Sequence, residues 1–178
     1  MQDRFIKSTI NEMKEFVEDA KRKNMHMYST TLTYRDSKYN KRTKEKRYFK
    51  LPKQKIAINR DMKKFRDGIR KAFNRMDIKF ECFFIYVPYG RSSKKFRPHF
   101  HGEVAISEAK KVDAYIKKYW KNGFIFVTKN HDPNRNTEQN VERWIEYIAN
   151  CNVLKNKNKY ISNCQIKSRT RKTINILD

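Results

Sequence analysis

The sequence predicts one α+β domain, in which a central, mainly antiparallel sheet of about five strands carries helices on one face. Segments with the hydrophobic period of a helix alternate along the chain with segments that have the period of a strand. No internal repeat or linker divides the 178 residues, a length that suits one domain with its own core. We therefore expect a single domain over residues 1–178, which ends in a basic C-terminal tail from about residue 156.

Helices are predicted where apolar residues recur at steps of three and four residues. The segments with this pattern are 3–22, 60–76, 108–121 and 138 to about 151. Asn59 and Ser107 precede the second and third segments, and we expect both to act as N-caps. Thr137 and Glu138 are expected to open the fourth.

Strands are predicted where β-branched and aromatic residues cluster between turn signals. The segments of this kind are 25–35, 79–87, 99–106 and 124–128. The segment 79–87 is apolar on both faces, which suits a central strand that is covered on each side. Residues 36–55 read as a loop or a ragged hairpin in the middle of the chain, where Pro52 argues against regular structure.

The charge of the chain points to a polyanionic partner. Lys and Arg number 43 against 19 Asp and Glu, which gives a formal net charge of +24. Self-repulsion on this scale weakens the folded state unless phosphate or another anion neutralises it, so nucleic acid is the expected partner. The segment 36–55 alone holds nine basic and two acidic residues, with Tyr39 and Tyr48 placed to stack on unpaired bases. The strand contacts that we expect within this segment are Lys41, Arg42 and Arg47.

Composition also bears on the compartment. No apolar run approaches the ~20 residues that a membrane helix needs, so no membrane partner is expected. The three cysteines, Cys82, Cys151 and Cys164, are widely spaced and form no CxxC pair. This pattern indicates neither a disulfide framework nor a zinc ribbon, and it favours a reducing, cytoplasmic setting.

The stretch "HFHGEVAI" (99–106) brings two of the four histidines onto one face of a strand. Phe100, Val104 and Ile106 alternate with the histidines and are expected to face the core. His99 and His101 therefore project from the other face, about 6 to 7 Å apart. Two imidazoles at that spacing can converge on one metal ion.

Several motifs in this order resemble the HUH endonucleases, the rolling-circle replication initiators and their relatives. "RPHFHGEVAI" looks like the histidine–hydrophobe–histidine signature, and "TTLTY" (30–34) like the first-motif strand. "DMKKFRDGIRKAF" (61–73) and the "YG" turn within 79–102 follow in the expected order. The likeness covers residues 28–155 and is strongest to initiators of gokushovirus-type single-stranded DNA phages and of plasmids. It implies an RRM-like palm as the fold.

The resemblance implies a nucleophilic tyrosine on a helix after the histidine strand, and "VERWIEYIANCNVLK" (141–155) offers Tyr147. At about 100° per residue, Tyr147 lies at the flank of the buried stripe of this helix, where a phenol can reach the histidine face. Relatives usually carry a lysine and often a second tyrosine where this chain has Asn150 and Cys151. A single-tyrosine variant is therefore expected, with Lys155 as a replacement cation.

The resemblance also implies Mg²⁺ or Mn²⁺ between His99 and His101, and neutral imidazoles suit Mn²⁺ better. Relatives commonly supply a third ligand, an acid just before the "YG" turn, where this chain has Pro88. The alternatives for this ligand are Glu103, Tyr86, Glu81 and water.

The function that the resemblance implies is site-specific nicking and rejoining of single-stranded DNA at an origin hairpin, through a 5′-phosphotyrosine intermediate. Arg97 and Arg143 are further expected strand contacts. Host proteins such as a helicase and a polymerase are expected partners, because the chain has no GxxxxGK loop for unwinding. The alternative is a non-catalytic single-strand binder with a degenerate site.

Overall fold

The computed structural model describes residues 2–89, 96–109, 112–134, 137–138 and 167–169. The elements in chain order are α1 (Gln2–Arg22), β1 (His26–Thr33), β2 (Ser37–Asn40), β3 (Glu45–Tyr48), α2 (Lys55–Asn74), β4 (Phe80–Tyr89), β5 (Phe96–Ile106), α3 (Val112–Tyr119), β6 (Ile125–Asp132), β7 (Thr137–Glu138) and β8 (Lys167–Arg169). Within this part of the chain, no helix is both long enough and apolar enough to cross a membrane.

In the described part of the chain, the main sheet has six strands in the order β7-β6-β1-β5-β4-β8, and each neighbouring pair is antiparallel. The predicted α+β class with a mainly antiparallel sheet is confirmed. Strands β2 and β3 form a separate two-stranded hairpin, which lies within the basic segment where a ragged hairpin was expected. The short β8 pairs with β4, so part of the predicted C-terminal tail belongs to the sheet.

Helices α2 and α3 pack on one face of the sheet, as predicted, over a core that is rich in aromatic rings. Phe100 lies at its centre, with ring centroids 5.4 Å from Tyr86 and 5.8 Å from Trp120. Val104 and Ile106 are fully buried in the same core. The prediction that these three residues of β5 face inward is confirmed, and their burial fixes which side chains of β5 lie on the other face.

Helix α1 packs against the opposite face of the sheet. Its apolar stripe, which includes Phe16 and Ala20, covers Phe83, Ile85 and Ala105. Sequence reasoning left this whole face for a site. Helix α1 covers the part of this face near Ala105, toward the end of β5. The strand residues there are apolar on both faces of the sheet, so both faces are covered.

Three predicted helix starts differ from the structure. Helix α2 begins at Lys55, about one turn before the expected cap Asn59, because Ile58 extends the buried stripe. Ser107 does not cap α3, since its hydroxyl accepts a hydrogen bond from the Lys79 amide at 3.0 Å. Thr137 and Glu138 form β7 against β6 and do not open a helix. The rest of the predicted fourth helix lies outside the described residues.

Candidate metal centre and nucleic-acid interface

Strand β5 places His99 and His101 side by side between β1 and β4. Both side chains project from the face opposite the Phe100 core, and the centroids of their rings lie 4.8 Å apart. The rings meet edge to face, with an angle of 85° between their planes. The two imidazoles are therefore held as a pair, as their spacing along the strand predicted.

The tautomer of His99 is fixed by the backbone. Its Nδ1 lies 2.7 Å from the carbonyl oxygen of Arg97, and a carbonyl oxygen can only accept. Nδ1 therefore carries the proton, and the lone pair of the ring is on Nε2. Histidines that bind metals commonly donate their second ring N–H to a backbone carbonyl in this way.

His101 is oriented by the neighbouring strand. Its Nδ1 lies 3.0 Å from the hydroxyl oxygen of Thr31, the residue that pairs with it across β1 and β5. A hydroxyl group can donate or accept, so this contact orients the ring in either tautomer. Sequence reasoning placed Thr31 in the first-motif strand, but it did not identify the contact with His101.

Burial keeps both imidazoles neutral. It lowers the pKa of His99, against the opposing effect of the hydrogen bond to the Arg97 carbonyl. Burial, with a smaller contribution from His99, lowers the pKa of His101 to about 3. Neutral imidazole is the form that binds a metal, so at neutral pH the pair is in the state that a cation requires.

Among the predicted third ligands, Glu103 directly follows His101 on the histidine face of β5. It is 1% exposed, and its Oε1 accepts a hydrogen bond from Asn130 Nδ2. Burial raises its pKa well above the usual range, which favours the uncharged carboxyl group. Asn130 is the extra residue of a β-bulge in β6, where the pairing with β1 shifts between Met27 and Tyr28. This position brings its side chain to Glu103.

Two of the predicted alternatives for the third ligand lie away from the histidine pair. Tyr86 is buried on the α2 and α3 side of the sheet, against Phe100. Glu81 pairs with Ala105, far along the strand from His101, and its Oε1 lies 2.5 Å from Lys23 Nζ. Among the described residues, no three His, Cys, Asp or Glu side chains lie close enough to hold a metal ion together. His99, His101 and Glu103 therefore do not form such a set, and water remains as the hypothesis for completing the coordination.

The predicted strand contacts fall into three groups. Arg97 is exposed and lies two residues before His99 on β5, so it projects from the histidine face. The hairpin residues Lys41, Arg42 and Arg47 are all exposed. The remaining predicted site residues lie outside the described part of the chain and are Arg143, Tyr147, Asn150, Cys151 and Lys155.

Two exposed phenyl rings near the histidines were missed by sequence reasoning. Phe124 and Phe126 are 63% and 68% exposed, whereas Ile125 and Val127 between and after them pack on the core. The signal was present in the alternating pattern of "FIFVT", in which the large rings occupy the outer positions.

Comparisons with known proteins leave the resemblance as it stands. No protein-family model matches the chain, and no curated protein or solved structure is significantly similar to it.

Proposed function

We propose that the protein nicks and rejoins single-stranded DNA in a metal-dependent reaction that initiates rolling-circle replication. The observation that carries the proposal is the pair of neutral, oriented imidazoles of His99 and His101 on a sheet face beside exposed basic residues. Packing in a core would not require that the Nε2 lone pair of His99 be fixed by the backbone. It would also not require an exposed arginine two residues away.

The residues present fit a divalent cation in part. His99 and His101 would hold Mn²⁺ or Mg²⁺ through ring nitrogens, and imidazole nitrogen suits Mn²⁺ better. Water would complete the coordination. When bound, such an ion withdraws charge from the non-bridging oxygens of the scissile phosphate.

Tyr147 is the proposed nucleophile, on the family resemblance. Its phenolic oxygen attacks the scissile phosphorus, so the Oη–P bond forms as the P–O3′ bond breaks. The phenol loses its proton and the departing 3′ oxygen takes one up. The products are a 5′-phosphotyrosine and a free 3′-hydroxyl that a host polymerase can extend. The reverse reaction rejoins the strand without ATP, because one phosphodiester replaces another.

Basic side chains would hold the strand on the histidine face. Arg97 lies two residues before His99, and the exposed hairpin cations Lys41, Arg42 and Arg47 are the further proposed contacts. Arg143 and Lys155 are the proposed contacts from the segment that carries Tyr147. Unwinding at the origin hairpin would fall to a host helicase in the cytoplasm.

A covalent-adduct assay tests the proposal. The protein is incubated with Mn²⁺ and single-stranded DNA that carries origin hairpins, and adducts are separated on a denaturing gel. We expect an adduct with the unmodified chain and none with Tyr147→Phe, while Tyr115→Phe on α3 is the matched control that retains it. An adduct that persists in Tyr147→Phe would place the nucleophile elsewhere.

A second candidate is a single-strand binder without chemistry. The exposed rings of Phe124 and Phe126 favour it, because base stacking on aromatic side chains needs no catalytic group. Binding without any adduct across a broad set of origins would select this candidate.

A further inference from the structure

The rings of Phe124 and Phe126 lie on the same face of the sheet as the histidine pair. Phe126 pairs with Thr31, and Thr31 pairs with His101, so one row of residues joins the phenyl ring to the imidazole. In the next row, the Phe124 carbonyl accepts a hydrogen bond from the Thr33 amide, and Thr33 pairs with His99. With neighbouring strands about 4.8 Å apart, each phenyl-bearing position is about 10 Å from a histidine position.

Arg35 connects this aromatic surface to a pocket beyond the end of β1. Its guanidinium lies 4.9 Å from the centre of the Phe124 ring. Arg35 also lines a pocket of about 730 Å³ between β1, the segment 49–54 and the first turns of α2. The Nε atom of Arg35 is buried and has no hydrogen-bond partner among the described residues.

The pocket is strongly positive. The charged residues that line it are Arg35, Lys50, Lys53, Arg60, Lys121 and Asp61. Asp61 is the one acid among them, and it already accepts a hydrogen bond from the Tyr34 hydroxyl at 3.2 Å. The five cations repel one another, and Asp61 alone cannot neutralise them. Anions that enter the pocket would reduce this repulsion.

We propose that Phe124 and Phe126 stack on bases of a single strand of DNA. The pocket beside Arg35 would then bind the backbone phosphates of the nucleotides next to those bases. The inference rests on the proposed function for the identity of the ligand, but it does not depend on the cleavage step. An exposed phenyl ring offers a stacking surface to any base, and the cations supply the sequence-independent attraction to the backbone. Together they form a track from the histidine pair past the end of β1.

Double-stranded DNA fits this track less well than a single strand. Its bases are stacked on one another inside the duplex, so the phenyl rings could reach them only after unpairing. We therefore expect a single strand to bind more tightly than a duplex of equal length at the same salt concentration.

Photocrosslinking tests where the bases lie. A single strand that carries 5-iodouracil is bound to the full chain, irradiated and digested with trypsin. Cleavage after Lys121 and Lys129 releases the peptide 122–129, which contains both rings. We expect crosslinks in this peptide. Crosslinks confined to the hairpin peptides that contain Tyr39 or Tyr48 would overturn the inference.

Affinity measurements by fluorescence anisotropy test the phenyl rings and the positive pocket separately. Phe124→Ala and Phe126→Ala should each weaken binding about 5- to 150-fold. The double variant Lys53→Ala/Lys121→Ala should reduce the salt dependence, by about 0.7 in the slope for each phosphate that the variant no longer neutralises. Lys64→Ala/Lys71→Ala removes the same charge from exposed positions of α2 outside the pocket, and should leave the slope nearer that of the unmodified chain.

The outcomes separate this inference from the proposed function. Weakened binding by the phenylalanine variants with no adduct from any variant would support the track and count against nicking. Unchanged binding by those variants, or equal slopes for the two lysine pairs, would overturn the track whether or not an adduct forms.

Discussion

The Nδ1 atom of His101 lies 3.0 Å from the hydroxyl oxygen of Thr31 on the adjacent strand. The two residues pair in the antiparallel register of β1 and β5, so the contact follows from strand pairing. It makes Thr31 a positioning residue for the imidazole, and it links the first-motif strand to the histidine strand within one candidate site.

Replacing Thr31 by Val removes this hydroxyl while it keeps the β-branched shape that suits a strand. We expect Mn²⁺ affinity to fall about 10- to 100-fold, because partners that orient a metal-binding histidine contribute on that scale. Isothermal titration calorimetry with Mn²⁺ measures the effect. Thr128→Val makes the same change on the same face, at β6, and should leave the affinity unchanged. Equal affinities for all three proteins would show that Thr31 does not support a metal ligand.

Removing either imidazole should weaken Mn²⁺ binding further than the Thr31→Val change does. We expect this of both His99→Ala and His101→Ala, because each deletes a proposed nitrogen ligand. The paramagnetic resonance signal of free Mn²⁺ reports the bound fraction without any need for activity. His131→Ala on β6 is the control. Retention of Mn²⁺ by both single variants would contradict a site between the two rings.

Gly102 lies between the histidine pair and Glu103, where a side chain has no room. A Cβ at this position would lie 2.2 Å from the Phe84 ring and 2.3 Å from the carbonyl oxygen of Phe83. We expect Gly102→Ala to lower the free energy of unfolding by about 1–3 kcal/mol, as overpacking does. Urea denaturation measures the change.

Gly68→Ala is the comparison for Gly102→Ala. Its Cβ would meet the side chain of Tyr119, a ring that can shift, and alanine suits the interior of α2 better than glycine does. We expect a smaller loss of stability than for Gly102→Ala. The reverse order would mean that the strand tolerates the added methyl group.

Stability should fall as the pH drops through about 6.5. Burial lowers the pKa of His26, whose side chain lies beside Lys129 and Asp132. Below its usual pKa the unfolded chain binds a proton that the folded protein does not, so folding is weakened. His99 and His101 contribute with the same sign. Urea midpoints between about pH 5 and about pH 8 measure this slope.

The variant His26→Gln isolates one part of the slope. It should flatten the pH dependence of the urea midpoint without abolishing it, because the half-buried imidazoles of His99 and His101 remain. A slope that is identical to that of the unmodified chain would mean that His26 is protonated equally in the folded and unfolded states.

Sequence reasoning succeeded where a local pattern decides the outcome. The alternation around Phe100 places it in the core and places His99 and His101 on the opposite face, because successive side chains of a strand point to opposite sides. Long amphipathic stripes likewise placed α1 and α2, with an error of about one turn at Asn59.

It failed where the outcome depends on contacts between distant segments. The pairing of Thr31 with His101 requires the register of β1 against β5, which neither strand specifies alone. Asn130 reaches Glu103 through a β-bulge, and a bulge leaves no clear mark in the sequence. Ser107 has the composition of a cap, but its hydroxyl bonds to the end of a neighbouring segment instead.

Locating the covalent bond between the protein and DNA tests the proposed nicking reaction. The DNA adduct formed with Mn²⁺ is digested with nuclease and trypsin, and its peptides are analysed by mass spectrometry. We expect a nucleotide joined by its 5′ phosphate to Tyr147, within the tryptic peptide 144–155, and no such peptide from His99→Ala or His101→Ala. A nucleotide on any other residue, or an unchanged yield of the adduct from both histidine variants, would contradict the proposal.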